Sequence, residues 1–144
     1  MVLRPEAIRQ RLLKLEEAVG RLAELGRADP ALLRTSFRDA WAVERGLQLA
    51  AEILLDSGNH ILSAHFGESA RDYEDVIAQL AARGVIDDAL RARLKGIGGF
   101  RNVLVHGYLD MDADRVAAYL ARAPGDFSAF LDAIRTWLER VTPS

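Results

Sequence analysis

The chain predicts an all-α protein, an antiparallel bundle of five to six helices. Three observations carry this. Apolar residues recur every three or four positions along nearly the whole length, the spacing of one helix face. No stretch of useful length alternates apolar and polar residues as a half-buried strand would. The four prolines, Pro5, Pro30, Pro124 and Pro143, fall where helices are expected to begin or end, positions that tolerate a missing N–H. Connections between the periodic segments are mostly short, so sequential helices should lie mainly antiparallel.

Taken in order, Ile8, Leu12, Leu15, Val19 and Leu22 step by four and three and form the stripe of a first helix, which Gly26 and Asp29-Pro30 end. A second, long helix starts near Leu32. It carries Leu33, Phe37, Ala40, Trp41, Leu47, Ala50, Ile53 and Leu54, and it runs past Gly58 through Ile61 and Leu62 to about Ala64. Gly67 lies in the loop after it. Asp72 caps a third helix with Val76, Ile77 and Leu80, ending before Gly84. Asp87 caps a fourth, with Leu90, Leu94, Ile97, Phe100 and Leu104, reaching about Tyr108. Asp112 opens a short helix with Val116 and Leu120, and Asp126 opens the last, with Phe127, Phe130, Leu131, Ile134, Leu138 and Val141. Phe37, Trp41, Phe127 and Phe130 are expected in the core. There is no internal repeat, and one domain spanning 1–144 is expected.

Composition narrows the function classes. Half of the residues are hydrophobic and 28% are charged, with the signs interleaved, as in a soluble globular chain. The net charge of −2 excludes a general, sequence-blind nucleic-acid binder, so RNA contact requires a local basic patch, and no DNA partner is expected. Arg91, Arg93 and Lys95 are candidates for such a patch, and a solvated face explains them equally well. Of the 19 cations all but Lys14 and Lys95 are arginine. The absence of cysteine removes disulfides, thiolate nucleophiles and cysteine-based zinc sites. No signal peptide and no membrane span is recognisable, and a cytoplasmic location is expected. His60 and His65, with Asp56 and Glu68 nearby, suggest a metal site, but at that spacing they do not share a helix face and no third ligand has fixed geometry. Neither a metal nor a cofactor is expected, and no glycine-rich phosphate loop follows a strand.

The most informative stretch is Phe100-Arg101-Asn102-Val103-Leu104-Val105-His106-Gly107-Tyr108. An apolar helix face needs neither Arg101 nor His106. On a helix Arg101 and Tyr108 lie nearly in line, Asn102 and His106 share a face, and Arg101 and His106 are about 140° apart. A long arginine side chain, or a second copy of the helix from a dimer partner, would bring both groups to one groove. These residues suit phosphodiester cleavage. A histidine near its ordinary pKa exchanges a proton with a 2′-hydroxyl or a leaving oxygen, and an arginine fork stabilises phosphate charge. Asn102 would orient the imidazole or bind the phosphate. Gly98, Gly99 and Gly107 strip side-chain bulk from the region, which suggests close approach of backbone, substrate or partner. On the second helix, Glu52 and Asp56 lie one turn apart and would hold Arg101 or Arg45.

The string Arg101-Asn102-Val103-Leu104-Val105-His106-Gly107-Tyr108 resembles the Arg-x4-His-x-Tyr signature of HepT toxins, members of the HEPN group of helical ribonucleases. The similarity extends to Val43-Glu44-Arg45-Gly46-Leu47-Gln48-Leu49 with Glu52 and Asp56, and to Tyr73-Glu74-Asp75 through Gly84-Val85-Ile86; it covers roughly Leu32 to Asp112. The resemblance implies a HEPN-type bundle and a metal-independent endoribonuclease toxin of a type VII HepT/MNT toxin–antitoxin pair. It implies a homodimer with its active groove at the subunit interface. Arg101 and His106 would be the catalytic pair, with Asn102, Arg45 and Asp56 in support. Tyr108 would be the site at which a nucleotidyltransferase-fold antitoxin, MNT, attaches AMP to silence the toxin. The readings from other classes are a non-catalytic helical subunit that binds a nucleotide or presents Tyr108 to a transferase, and a helical assembly protein without activity.

Overall fold

The computed structural model describes residues 3–26, 29–107, 109 and 111–142. Among these there is no strand, and the regular structure is six helices of seven residues or more plus one single turn. Helix α1, Pro5–Leu25, begins on proline and buries Ile8, Leu12, Leu15, Val19 and Leu22, the stripe its sequence spacing predicts.

The long second helix predicted from Leu32 is divided. Leu32–Thr35 is a single turn, α2, and α3 spans Phe37–Phe66. Between them Ser36 is extended and its hydroxyl accepts the Asp39 N–H at 3.3 Å, an N-cap that starts the helix afresh. The restart bears on two aromatic residues expected in the core. Phe37 and Trp41 are 63% and 67% exposed. On α3, Trp41 lies about 160° round the axis from Val43, and it is Val43, with Leu47, Ala50 and Leu54, that faces inward. Phe127 and Phe130 are buried as expected.

Helix α4, Tyr73–Ala82, is capped by Asp72, and α5, Asp88–Leu94, by Asp87. The sequence pattern continues α5 to about Tyr108, but the chain breaks at Gly96, whose φ of +92° is left-handed and favours glycine. Helix α6 then spans Ile97–His106. The reverse happens at the end of the chain: α7, Ala113–Val141, is continuous through Pro124, where two helices were expected. Proline gives up one backbone hydrogen bond there. The stripe of Val116, Leu120, Ala123, Phe127, Phe130 and Ile134 holds both halves to one core, so packing overrides the local penalty. Asp126, expected to cap a last helix, instead accepts the Arg93 Nε–H at 2.9 Å.

Helices α1, α3 and α7 pack on one another around a contiguous cluster of buried aliphatic and aromatic side chains. Each such side chain contributes about 1.5–3 kcal/mol by leaving water. Helix α4 lies against α3 at Gly58, where a Cβ would sit 2.8 Å from Val76 Cγ1. Helix α6 packs on both α3 and α4. Its Arg101 reaches Glu52 in the middle of α3, while Met111 and Ala113, just beyond its end, line a cavity of about 140 Å³ with Ala40 and Glu44 near the start of α3. Helix α6 thus runs antiparallel to α3, and the chain between these two contacts carries His106. No helix is long and apolar enough to cross a membrane among the described residues.

Candidate active site

Helix α6 has no side-chain cap of its own. Its start is held from outside by Glu74 on α4, whose carboxylate accepts the Gly96 N–H at 3.0 Å and the Gly98 N–H at 2.5 Å. An anion at this position suits the unpaired N–H groups and the positive end of the helix dipole. Gly98 makes the approach possible. A Cβ there would lie 2.8 Å from both the Glu74 nitrogen and Tyr73 Cβ, whereas Gly99 faces open space. Of the glycines expected to admit a close neighbour, Gly98 admits the α4 backbone. Gly107 ends the helix, and its N–H donates to the Val103 carbonyl at 2.8 Å.

One turn into α6, Arg101 is gripped on several sides. Its Nη2 donates to Glu52 Oε1 at 3.1 Å and its Nη1 to Asn102 Oδ1 at 3.2 Å. The guanidinium lies over the Tyr73 ring, 4.7 Å from the centroid, a cation–π contact. Gln48 donates to the same Glu52 oxygen at 3.3 Å. The Arg101 side chain is 17% exposed, and its Nε is buried with no hydrogen-bond partner among the described residues. A guanidinium carries five N–H donors, so these contacts fix its plane and leave donors unused. That is the state in which an arginine clamps a phosphate with little further loss of side-chain freedom.

His106 is the last residue of α6 and is exposed, as is Asn102. Arg45 is exposed on α3. Of the two carboxylates open as Arg101 partners, Glu52 makes the contact. Asp56, one turn further on, borders an open groove between α1 and α3 together with Arg11, Leu49 and Ile53. Partial burial pushes the Asp56 carboxyl above the usual carboxylate range, opposed by Arg11, reinforced by Glu52 and opposed again by Arg101. Tyr108 lies outside the described residues. The segment before α6 is not a free basic patch. Arg93 pairs with Asp126, and Arg91 and Lys95 share their groove with Asp72, Glu74, Asp75 and Asp88. His65 sits edge-on to Phe66 and Trp137, at 4.7 and 5.0 Å between ring centroids. Burial pushes His60 below its ordinary pKa. No group of three or more potential ligands able to hold a metal occurs among the described residues.

Tyr73 and Glu74 are the functional neighbours that sequence reading missed. Both stand in the first turn of α4, and the sequence marks them only as part of the family likeness at Tyr73-Glu74-Asp75 and as the acidic start that any capped helix favours.

Comparison with known proteins places the chain in a family. The family model described as ribonuclease HepT-like matches residues 15–134. The chain is 30% identical over 105 residues to the tRNA nuclease HepT of Aphanizomenon flos-aquae, covering 72% of this chain and 71% of that protein. It is 30% identical over 89 residues to the mRNA nuclease HepT of Shewanella oneidensis, covering 62% and 67%. Its fold superposes on the tri-AMPylated Shewanella oneidensis HEPN toxin, solved in complex with MNT antitoxin. The TM-score is 0.82 at 24% identity, over 92% of this chain and 99% of that one. The all-α bundle is therefore of the HEPN type, and the chain belongs to the ribonuclease HepT-like family, which makes it a ribonuclease by family.

Proposed function

We propose that the protein is a metal-independent endoribonuclease toxin, a HepT-like unit spanning 1–144, in a type VII pair with an MNT-type antitoxin. The observation that carries this reading is the Arg101 guanidinium, fixed by Glu52, Asn102 and Tyr73 on the helix that ends in exposed His106. In this reaction His106 takes the proton of a ribose 2′-hydroxyl. The freed oxygen attacks the adjacent phosphorus, the bond from phosphorus to the 5′-oxygen breaks, and that oxygen takes a proton from water while the His106 imidazolium returns its own to solvent, giving a cyclic phosphate and a 5′-hydroxyl end. Arg101 donates to the non-bridging oxygens as their charge builds. The pair acts in a cytoplasmic homodimer whose two α6 helices face a shared groove, because the roughly 140° between Arg101 and His106 separates them on one helix. Asn102 and Arg45 contact the phosphate backbone, and Asp56 supports them through its field at Arg101.

Control comes through Tyr108. The fold likeness to a tri-AMPylated toxin solved with its MNT antitoxin supports a partner of that class here. AMP on Tyr108, two residues beyond His106, adds negative charge and bulk where the RNA backbone must enter. The deciding experiment is cleavage of RNA by the purified protein in excess EDTA, beside Arg101→Ala and His106→Ala. Cleavage by the wild type and loss in both variants, each folded by circular dichroism, is expected. Equal cleavage by all three would mark the activity as a contaminant. Absence of cleavage by the wild type would leave the non-catalytic partner subunit as the reading to pursue.

A further inference from the structure

The face of α3 that meets the active site does not end where α6 ends. At 100° per residue, Phe37, Gln48, Trp41, Glu52, Arg45 and Arg38 fall within one arc of about 100°. Along the middle of the helix this face is occupied, since Glu52 grips Arg101 of α6. Toward its start the same face is bare among the described residues. Phe37 and Trp41 are 63% and 67% exposed, and Arg38 and Arg45 are exposed beside them. The two aromatic rings meet edge to face, 5.2 Å between centroids. They form one row and the two arginines a second row beside it. Trp41 stands eleven residues from Glu52, about 16 Å along the axis at 1.5 Å per residue, and Phe37 about 6 Å further. Of the acidic residues of this segment, Asp39 lies on the opposite side, and Glu44, about 20° beyond Phe37 at the edge of the arc, lines the small cavity with Leu33, Ala40 and Met111. Arg34 is engaged by Asp114.

We infer that this bare half of the α3 face is a stacking platform for single-stranded RNA leading away from the cleavage site, Trp41 and Phe37 receiving bases and Arg38 and Arg45 meeting phosphates. The inference rests on the ribonuclease reading. Alternation of exposed aromatic rings with arginines, in line with a phosphate-clamping group, is what an unpaired strand needs, since every base has a face to stack and every link a charge. A chain with net charge −2 has to concentrate its RNA contacts locally, and this row does so without drawing on the segment before α6, whose cations are countered by acids.

The test uses the full-length protein and a 2′-O-methyl RNA 10-mer, which has no 2′-hydroxyl to react. Of the two tryptophans Trp137 is buried, so quenching of tryptophan emission in the wild type reports on Trp41, and the affinities of wild type and variants are read from the fluorescence anisotropy of an end-labelled 10-mer. Quenching on titration is expected. Trp41→Ala should weaken binding by about fivefold to a hundredfold, the worth of one stacked base. Trp41→Phe should retain most of the affinity, and Phe37→Ala should lose a similar amount. Arg45→Ala should reduce the slope of log affinity against log salt by about 0.7, the single-strand value per phosphate contact. On a cleavable single-stranded RNA, Trp41→Ala should raise KM more than it lowers kcat. Unchanged oligonucleotide affinity in Trp41→Ala and Phe37→Ala overturns the proposal. So does a Trp41→Ala variant that loses its homodimer in sedimentation, or its capture by the antitoxin, at unchanged RNA affinity, since the face then serves a protein. Either result with wild-type cleavage intact leaves the ribonuclease reading standing, whereas a wild type that neither binds nor cuts RNA removes both.

Discussion

Replacing Glu52 should separate positioning from chemistry at this site. At 3.1 Å, with an effective dielectric of about 20, the gross attraction between Glu52 and Arg101 is about 5 kcal/mol. Desolvation of both groups cancels much of it. The side chains are 17% and 30% exposed, which sets the pair between a surface ion pair, worth about 0–1 kcal/mol, and a buried one, whose breaking costs about 3–5 kcal/mol. Glu52→Ala should therefore lower stability by about 1–3 kcal/mol, or about 3 °C in Tm per kcal/mol at this chain length. Glu52→Gln, which keeps an acceptor for Nη2, should lose the smaller part. Activity should fall further than stability. An unheld guanidinium swings away from the phosphate, and a displacement of about 1 Å costs roughly a hundredfold in rate. The measurements are guanidinium-chloride unfolding at constant m and single-turnover RNA cleavage at saturating enzyme. Glu52 moves no proton in this scheme, so the pH profile of the residual cleavage should keep its shape. Wild-type midpoint and cleavage rate in Glu52→Ala would refute the positioning role.

The adjacent glycines of α6 should respond in opposite directions. Gly98→Ala places a methyl against the backbone of Tyr73 and Glu74, costing about 1–3 kcal/mol and shifting Arg101, while Gly99→Ala meets nothing and should gain about 0.5–1 kcal/mol of helix stability, read as paired Tm shifts. Asp75 carries the clearest pH dependence. The Arg71 N–H, then the Gln79 amide, then the Arg71 guanidinium hold its carboxyl at about 2, against an ordinary 3.8. A depressed carboxyl contributes stability that is complete above its unfolded pKa and is lost as pH falls through the folded one. Tm should therefore drop between about pH 4 and 2, and Asp75→Asn should flatten that drop while lowering Tm at pH 7. Tyr108→Phe should stay toxic and escape silencing when the antitoxin and ATP are supplied. Intact mass should show adenylyl adducts on the wild type alone, and a silenced, modified Phe variant would remove Tyr108 from this role.

Helical periodicity reported the buried stripes faithfully because burial is a property of one face, as the five residues of α1 illustrate. It failed at boundaries, where single residues decide. Ser36 restarts a helix with one side-chain hydrogen bond, and Gly96 turns the chain through left-handed φ, and neither disturbs the apolar spacing around it. Pro124 misled in the other direction because the nine buried residues of α7 outweigh one lost hydrogen bond. Trp41 and Phe37 looked like core because hydrophobicity alone carries no phase; their angle relative to Val43 does. At the candidate site, Arg101, Asn102 and His106 are legible since they sit together in sequence. Glu52 is 49 residues away from Arg101 and was separable from Asp56 only by the packing of α6 on α3.

The Glu74 clasp has a consequence for how the protein breathes. A helix start that lacks its own cap frays first, and its amides exchange with solvent at nearly the unprotected rate. Here two of the four N–H groups that the α6 start leaves without a helical partner, those of Gly96 and Gly98, are sealed by a carboxylate rooted in α4. Opening α6 therefore means detaching it from its neighbour, so in hydrogen exchange the amides of Gly96 and Gly98 should be as slow as those in the middle of α4. The arginine-bearing helix and α4 then open as one cooperative unit. Local unfolding that would scatter Arg101 and its aromatic support separately is suppressed, because Tyr73 and Glu74 are neighbours on the same turn.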